Sequence, residues 1–150
     1  MILDHLTADC ILLEGRAKRK EEVLADLATL LSAGDAGLRA QILEGLLERE
    51  SVMSTGIGHR IAVPHARLDR LDGLRLALAR YPQGVDFKSL DGQPVYLAFG
   101  VIGPPAQADG HVKVLARIAR LVKQADAVNE ILAACDVPSL LAVLERRCSV

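Results

Sequence analysis

Four kinds of residue that can hold or transfer a phosphoryl group lie close together in this sequence. The residues of interest between positions 49 and 65 are an arginine, two adjacent hydroxyl residues, two glycines and a histidine preceded by proline: Arg49, Ser54, Thr55, Gly56, Gly58, Pro64 and His65. Glycines permit backbone conformations in which successive N–H groups turn toward an anion, and the hydroxyl groups add donors. These residues therefore form a candidate site for a phosphate or another anion.

Histidine suits phosphoryl transfer because one ring nitrogen can attack phosphorus while a hydrogen bond to the other fixes the tautomer. Pro64 predicts the edge or the end of a strand, where the ring of His65 can face solvent and a partner. His111 is predicted in the first turn of a helix, whose dipole favours a neutral ring and a nearby phosphoryl oxygen. Arg49 could stabilise the developing charge, and this chemistry requires no metal.

Each of these features also has an ordinary structural explanation. A histidine is more often structural or exposed than reactive, and Gly56-x-Gly58 alone is more often a turn. The helix dipole explains an arginine at position 49, near the predicted end of a helix. The loop lacks G-K-[ST] and precedes a strand, so it is not a nucleotide-binding P-loop. Residue types and spacing favour an anion site only slightly over these alternatives.

The composition restricts the class of protein. Of the 150 residues, 51% are hydrophobic and 25% are charged, which is typical of a folded domain. The 18 basic and 19 acidic residues give a net charge of -1, which argues against a general attraction to nucleic acid or anionic membrane. The first residues do not resemble a secretory signal, and no apolar stretch is long enough for a membrane span. Three widely spaced cysteines, Cys10, Cys135 and Cys148, suit reduced thiols. We expect one cytoplasmic domain over residues 1–150.

Hydrophobic periodicity predicts strands interleaved with helices. The predicted strands are residues 10–13, 61–63, 74–79 and 95–102, and the predicted helices are residues 18–32, 38–50, 110–123, 127–134 and 138–146. Residues 51–60 are predicted to form an irregular loop, Arg49 to end an inward-facing helical stripe, and Asp109 to cap the next helix. Asp91-Gly92 is a turn signal that indicates at least one antiparallel strand pair. These patterns predict an α/β fold, a three-layer αβα sandwich with a mixed, roughly five-stranded β-sheet flanked by helices.

Several stretches of the sequence resemble one known family. Residues 47–50, 54–58 and 62–65 have the sequences Leu-Glu-Arg-Glu, Ser-Thr-Gly-Ile-Gly and Ala-Val-Pro-His. This pattern is similar to the signature of the mannitol/fructose-type (type 2) enzyme IIA domains of the bacterial phosphoenolpyruvate-dependent phosphotransferase system. Residues 85–87, 91–95 and 111–115 extend the likeness over nearly the whole chain. The resemblance implies a mixed-sheet fold, phosphorylation of His65, and supporting roles for His111 and Arg49.

The sequence departs from the family pattern at two positions. Arg60 stands where the family often has glycine, which would stiffen the loop or add a positive charge to it. Val112 replaces a common leucine, which is a mild change in packing. Neither change removes a reacting group.

Within the family the chain is most similar to the nitrogen-regulatory branch, because no carrier, IIB or membrane domain is attached. The resemblance then implies a phosphocarrier that accepts phosphoryl from a histidine carrier protein and regulates partners through its phosphorylation state. A fructose-type sugar-uptake component that passes phosphate to a IIB cysteine stays open, as does a non-catalytic binding module switched by phosphorylation of His65. Metal-assisted hydrolysis by His59, His65 and His111 is disfavoured, because no carboxylate or cysteine falls at ligand spacing among them. We expect no cofactor, no nucleic acid partner and no membrane insertion.

Overall fold

The computed structural model describes residues 2–148. Within them lie six strands: β1 (Ile11–Leu12), β2 (Gly56–Gly58), β3 (Ile61–Ala62), β4 (His65–Arg67), β5 (Arg75–Val85) and β6 (Val95–Gly103). The same residues contain five α-helices: α1 (Lys20–Leu31), α2 (Ala36–Val52), α3 (Ala108–Val122), α4 (Ala125–Ala133) and α5 (Val137–Cys148). None of these helices is both long and apolar enough to cross a membrane.

The strands form one mixed sheet in the order β1-β5-β6-β3-β2, with β4 also paired to β6. Strands β5 and β6 make a long antiparallel pair, which confirms the pairing predicted from Asp91-Gly92. Strands β3 and β4 both run parallel to β6 and pair with successive parts of it, so that His65 stands opposite Val101. Since β4 pairs with β6 alone, His65 lies at a sheet edge, as its preceding proline predicted.

Residue alternation directs the two faces of the sheet to different helices. One face consists largely of alanines and packs against α1 and α2; these are Ala62, Ala66, Ala77, Ala79 and Ala98. A Cβ atom at Gly100 would lie 3.2 Å from side-chain atoms of Leu27 and Leu31, so α1 packs directly on the backbone of β6. The other face carries bulky residues that pack against α3, α4 and α5; these include Leu76, Leu78, Leu97, Phe99 and Val101. Because Ala66 belongs to the first face, His65 and Arg67 point to the second.

The predicted mixed sheet flanked by helices is confirmed, with six strands in place of about five. Each predicted helix end lies within two residues of the observed end. Three details were wrong. Residues 51–60 do not all form a loop, because α2 extends to Val52 and Gly56–Gly58 form β2. Asp109 does not cap α3 but lies in its first turn, because the helix begins at Ala108. The inward stripe of α2 ends at Glu50, which is 8% exposed, while Arg49 is only partly buried.

Arg80 joins the sheet to α4 through backbone carbonyl groups. It lies within β5 and is 6% exposed. Its Nε donates to the carbonyl oxygen of Leu13 at 3.1 Å, and its Nη1 donates to those of Ile131 at 3.0 Å and Ala134 at 2.7 Å. The last carbonyls of a helix have no partner within the helix, so Arg80 supplies the missing donors.

We expect Arg80→Met to lower the free energy of unfolding by about 2–3 kcal/mol, because it leaves buried carbonyl groups without a donor. Urea unfolding followed by circular dichroism measures the change. Arg120→Met, which removes an exposed arginine from α3, should change the same quantity by less than about 0.5 kcal/mol. Equal effects of the two substitutions would contradict the structural role of Arg80.

Candidate functional site

The three residues predicted as catalytic, His65, His111 and Arg49, line one cleft of about 480 Å³. Strand β4 contributes His65, the first turns of α3 contribute His111, and the end of α2 contributes Arg49. The other lining residues are Gly45, Glu48, Val52, Ala66, Arg67 and Leu115. The fold thus brings together side chains that are distant in sequence.

The ring of His65 is oriented by its own strand. Its Nδ1 lies 2.9 Å from the carbonyl oxygen of Val63. Because a carbonyl oxygen can only accept, Nδ1 carries the hydrogen, and the lone pair of the neutral ring is on Nε2. Burial lowers the pKa of His65, and the charges of Arg49 and Arg67 act in the same direction, against the Val63 hydrogen bond and Glu50. The ring is therefore neutral at pH 7, with Nε2 available as a nucleophile.

His111 is 1% exposed, and its ring meets that of His65 edge-on, with ring centroids 5.7 Å apart and planes at 67°. Burial lowers the pKa of His111 to about 4, with further contributions from His65 and Arg67. Among the described residues neither ring nitrogen has a hydrogen-bond partner. A neutral imidazole has one N–H, and buried polar groups without partners are uncommon in native proteins. His111 therefore has a free donor next to His65.

A buried carboxylate that the sequence pattern did not single out holds the end of α2. Glu50 accepts hydrogen bonds from the backbone N–H of Thr55 at 2.9 Å and from its hydroxyl at 2.5 Å. The ammonium group of Lys20 lies 2.9 Å from the same carboxylate and 5.0 Å from the centre of the Phe87 ring. Arg49 donates from Nη1 to the carbonyl oxygen of Met53 at 2.8 Å. These contacts fix the segment between α2 and β2.

The buried position of Glu50 could have been predicted from its spacing in the sequence. It follows Leu38, Ile42 and Leu46 at intervals of four residues, the interval of the buried helical stripe. A carboxylate at the last position of such a stripe needs partners, because an unpaired buried charge is costly.

The predicted phosphoryl loop, Ser54, Thr55, Gly56 and Gly58, is not among the residues that line the cleft. Thr55 is buried against Glu50, and Ser54 Oγ accepts from the N–H of Gly56 at 3.1 Å. A Cβ atom at Gly56 would lie 2.2 Å from Ser89 Oγ, so packing alone requires glycine there. Contact between this loop and a phosphoryl group stays a prediction.

The turn between β2 and β3 has three successive residues with positive φ: Gly58 at 85°, His59 at 56° and Arg60 at 70°. Arg60 donates from Nη2 to Asn129 Oδ1 at 2.8 Å, so its charge is directed to α4. His59 is exposed in this turn and does not line the cleft with His65 and His111. In the described part of the chain, no three His, Cys, Asp or Glu side chains are grouped so that they could hold a metal ion.

Comparison with known proteins shows a similarity that extends over nearly the whole chain. Residues 4–147 match the family model of the phosphoenolpyruvate-dependent sugar phosphotransferase system, EIIA 2. The chain belongs to this family. A nitrogen regulatory protein of Bradyrhizobium diazoefficiens is 33% identical to this EIIA chain over 143 residues, which cover 95% of the chain and 94% of the relative.

Two further proteins give the range of the similarity. The fructose-specific EIIABC component of Bacillus subtilis is 33% identical over 146 residues, which cover 97% of this EIIA chain but 23% of that larger protein. The crystal structure of the nitrogen regulatory protein IIA-Ntr from Neisseria meningitidis superposes with a TM-score of 0.88 at 26% identity, and covers 94% of this chain and 97% of that one. The family resemblance predicted from the sequence is confirmed.

Replacing Glu50→Ala should lower the free energy of unfolding by about 3 kcal/mol, because Lys20 and the donors of Thr55 lose their acceptor. Chemical denaturation at pH 7 measures the loss. Glu44→Ala removes an exposed carboxylate from the same helix and serves as the matched control, with an expected change below about 0.5 kcal/mol. A loss no larger than that of the control would show that Glu50 is not structural.

Stability should fall as the pH is lowered from 7 to 4. The pKa of His111 is about 4 in the folded protein and close to its ordinary value in the unfolded chain. Between these values the unfolded chain binds the proton more strongly, so acid favours unfolding by roughly 3 kcal/mol from this group. Carboxylates also titrate in this range, so the measured quantity is the difference between the wild type and His111→Gln. Parallel pH profiles of unfolding free energy for the two proteins would contradict this role of His111.

Proposed function

We propose that this EIIA protein is a phosphocarrier that accepts a phosphoryl group on Nε2 of His65 from a histidine carrier protein. The hydrogen bond from Nδ1 to Val63 carries the proposal, because it leaves the lone pair of a half-buried ring on Nε2. The position of this ring in a cleft with His111 and Arg49 supports it further. Phosphoryl transfer depends mainly on positioning and on stabilisation of charge, and this cleft offers both.

The transfer step requires no proton movement at His65. The Nε2 lone pair forms a bond to phosphorus while the N–P bond of the carrier breaks, and that electron pair returns to the carrier nitrogen. The hydrogen stays on Nδ1 throughout, where it is donated to the carbonyl oxygen of Val63. Because both ring nitrogens are then substituted, the product is a dianionic phosphoryl group on a positively charged ring, next to the free N–H of His111 and the positive charge of Arg49. Both groups can stabilise it.

Regulation is the role that we favour for this phosphocarrier. The similarity to a nitrogen regulatory protein covers nearly the full length of both chains. The fructose-specific relative is equally identical, which keeps transfer to a IIB cysteine as the alternative. A regulatory target that only recognises the phosphorylation state, without accepting the group, is the third possibility. We place this carrier in the cytoplasm, with residues 1–150 forming one EIIA domain.

Incubation of the protein with phosphoenolpyruvate, enzyme I and a histidine carrier protein tests the proposal. We expect one acid-labile phosphoryl group, and tandem mass spectrometry should locate it on His65. His65→Ala should accept no phosphoryl group, and its unfolding temperature should equal that of the wild type. His59→Asn is the matched control, since asparagine tolerates the positive φ of that exposed position, and it should be labelled normally. Label on the His65→Ala protein would overturn the assignment.

His111→Ala should slow labelling about a hundredfold without preventing it, because one donor to the phosphoryl group is lost. Rapid-quench measurement of a single turnover gives the rate. An unchanged rate would contradict the role of His111. Addition of a IIB domain to the labelled protein then separates the alternatives, because only a sugar-uptake component passes the group to a IIB cysteine.

A further inference from the structure

Arg67 is a second arginine at the cleft, and the sequence pattern assigned no role to it. It follows His65 by two residues on β4, so both side chains leave the same face of the strand. Ala66, between them, packs into the opposite cluster with α1 and α2. Arg67 lines the same cleft as both histidines. Its charge also contributes to the low pKa of His65 and of His111, which places its guanidinium group within electrostatic reach of both rings.

The guanidinium group of Arg67 is not engaged elsewhere. Over residues 2–148 it makes no hydrogen bond or ion pair, and the residue is exposed. Arg49, in contrast, donates to the carbonyl oxygen of Met53, and Arg70 donates to Asp35 at 2.8 Å. A free guanidinium group presents five N–H donors in a planar arrangement that fits phosphate oxygens in pairs. Arg67 is therefore the cation of the cleft with the most unused donors.

We propose that Arg67 binds the phosphoryl group on His65 and stabilises the phosphorylated protein, together with Arg49 and His111. This inference rests on the proposed function. Phosphorylation places two negative charges on the face of β4 from which Arg67 extends. In the transfer the Nε2–P bond forms as the carrier's N–P bond breaks, and the electron pair returns to the carrier nitrogen. Arg67 donates hydrogen bonds to the phosphoryl oxygens and exchanges no proton.

A second cleft of about 360 Å³ adjoins the first, and Arg67 lines both. This neighbouring cleft also contains the acidic residues Glu44, Glu48 and Asp69, together with Arg70. A carrier protein could therefore contact Arg67 during docking without any role of this arginine at the phosphoryl group. The test must separate stabilisation of phosphohistidine from contact with the carrier.

The equilibrium constant for phosphoryl exchange between the free carrier and this protein distinguishes stabilisation of phosphohistidine from contact with the carrier. It depends only on the stabilities of the free phosphorylated and unphosphorylated proteins. A docking contact changes the forward and reverse rates by the same factor and leaves the constant unchanged. We expect Arg67→Ala to lower the constant about tenfold, in line with the loss of one charged hydrogen bond, and Arg67→Lys to lower it less. Phosphorus NMR of equilibrated mixtures quantifies both phosphohistidines.

Arg70→Ala is the matched control, because Arg70 lines the neighbouring cleft but not the cleft of His65. It should leave the equilibrium constant unchanged. If Arg67→Ala alters the transfer rates but has the same equilibrium constant as the wild type, Arg67 acts in docking. That result would overturn this inference and leave the proposed function intact. A wild-type protein that takes up no phosphoryl group on His65 would overturn the proposed function and this inference with it. Arg67→Ala should unfold at the wild-type temperature, since the side chain is exposed.

Discussion

The hydrogen bond between His65 Nδ1 and the carbonyl oxygen of Val63 is the contact on which the site depends. It is the last of a series of polar contacts that begins at a carboxylate in the core. The carboxylate of Glu50 receives Lys20 and both donors of Thr55. The carbonyl oxygen of Thr55 accepts the N–H of Val63 at 2.9 Å, and the carbonyl oxygen of Val63 then accepts the ring hydrogen of His65. The ion pair between α1 and α2 is thus connected, through the backbone of Thr55 and Val63, to the histidine on the edge strand.

The electrostatic surroundings of the two histidines favour anion binding over proton binding. Burial and nearby arginines disfavour the imidazolium form of both rings, so neither ring takes up a proton at neutral pH. The same arginines would favour the dianion that we propose on His65. The free N–H of His111 is unfavourable in a folded protein without a partner, because a buried donor has lost its water. A phosphoryl group bound at His65 as we propose would give this donor an acceptor and remove the cost.

Periodicity predicted the helices well because each is nine or more residues long and has a clear apolar stripe. Strands β2 and β4 have three residues each, and pairing with β3 and β6 rather than their own sequence defines them. The grouping of His65, His111 and Arg49 in one cleft could be predicted because their chemistry and the family resemblance coincided, while their roles stay predictions. Thr55 and Gly56 show the limit of such reasoning. Thr55 and Gly56 pack against Glu50 and Ser89, and hydroxyl and glycine residues have the same sequence pattern whether or not they also bind an anion.

The turn that contains Arg60 connects backbone strain to the position of the His65 ring. Left-handed conformations of residues other than glycine are unfavourable, yet His59 and Arg60 both adopt one. The carbonyl oxygen of Arg60 accepts the backbone N–H groups of Tyr96 at 2.9 Å and Leu97 at 3.3 Å, and its side chain is bound to α4. These bonds hold β3 in register with β6. A shift of one residue would turn every side chain of β3 and β4 to the other face, and His65 would then face α1 and α2 instead of His111. The strained turn thus keeps the two histidines on the same side of the sheet.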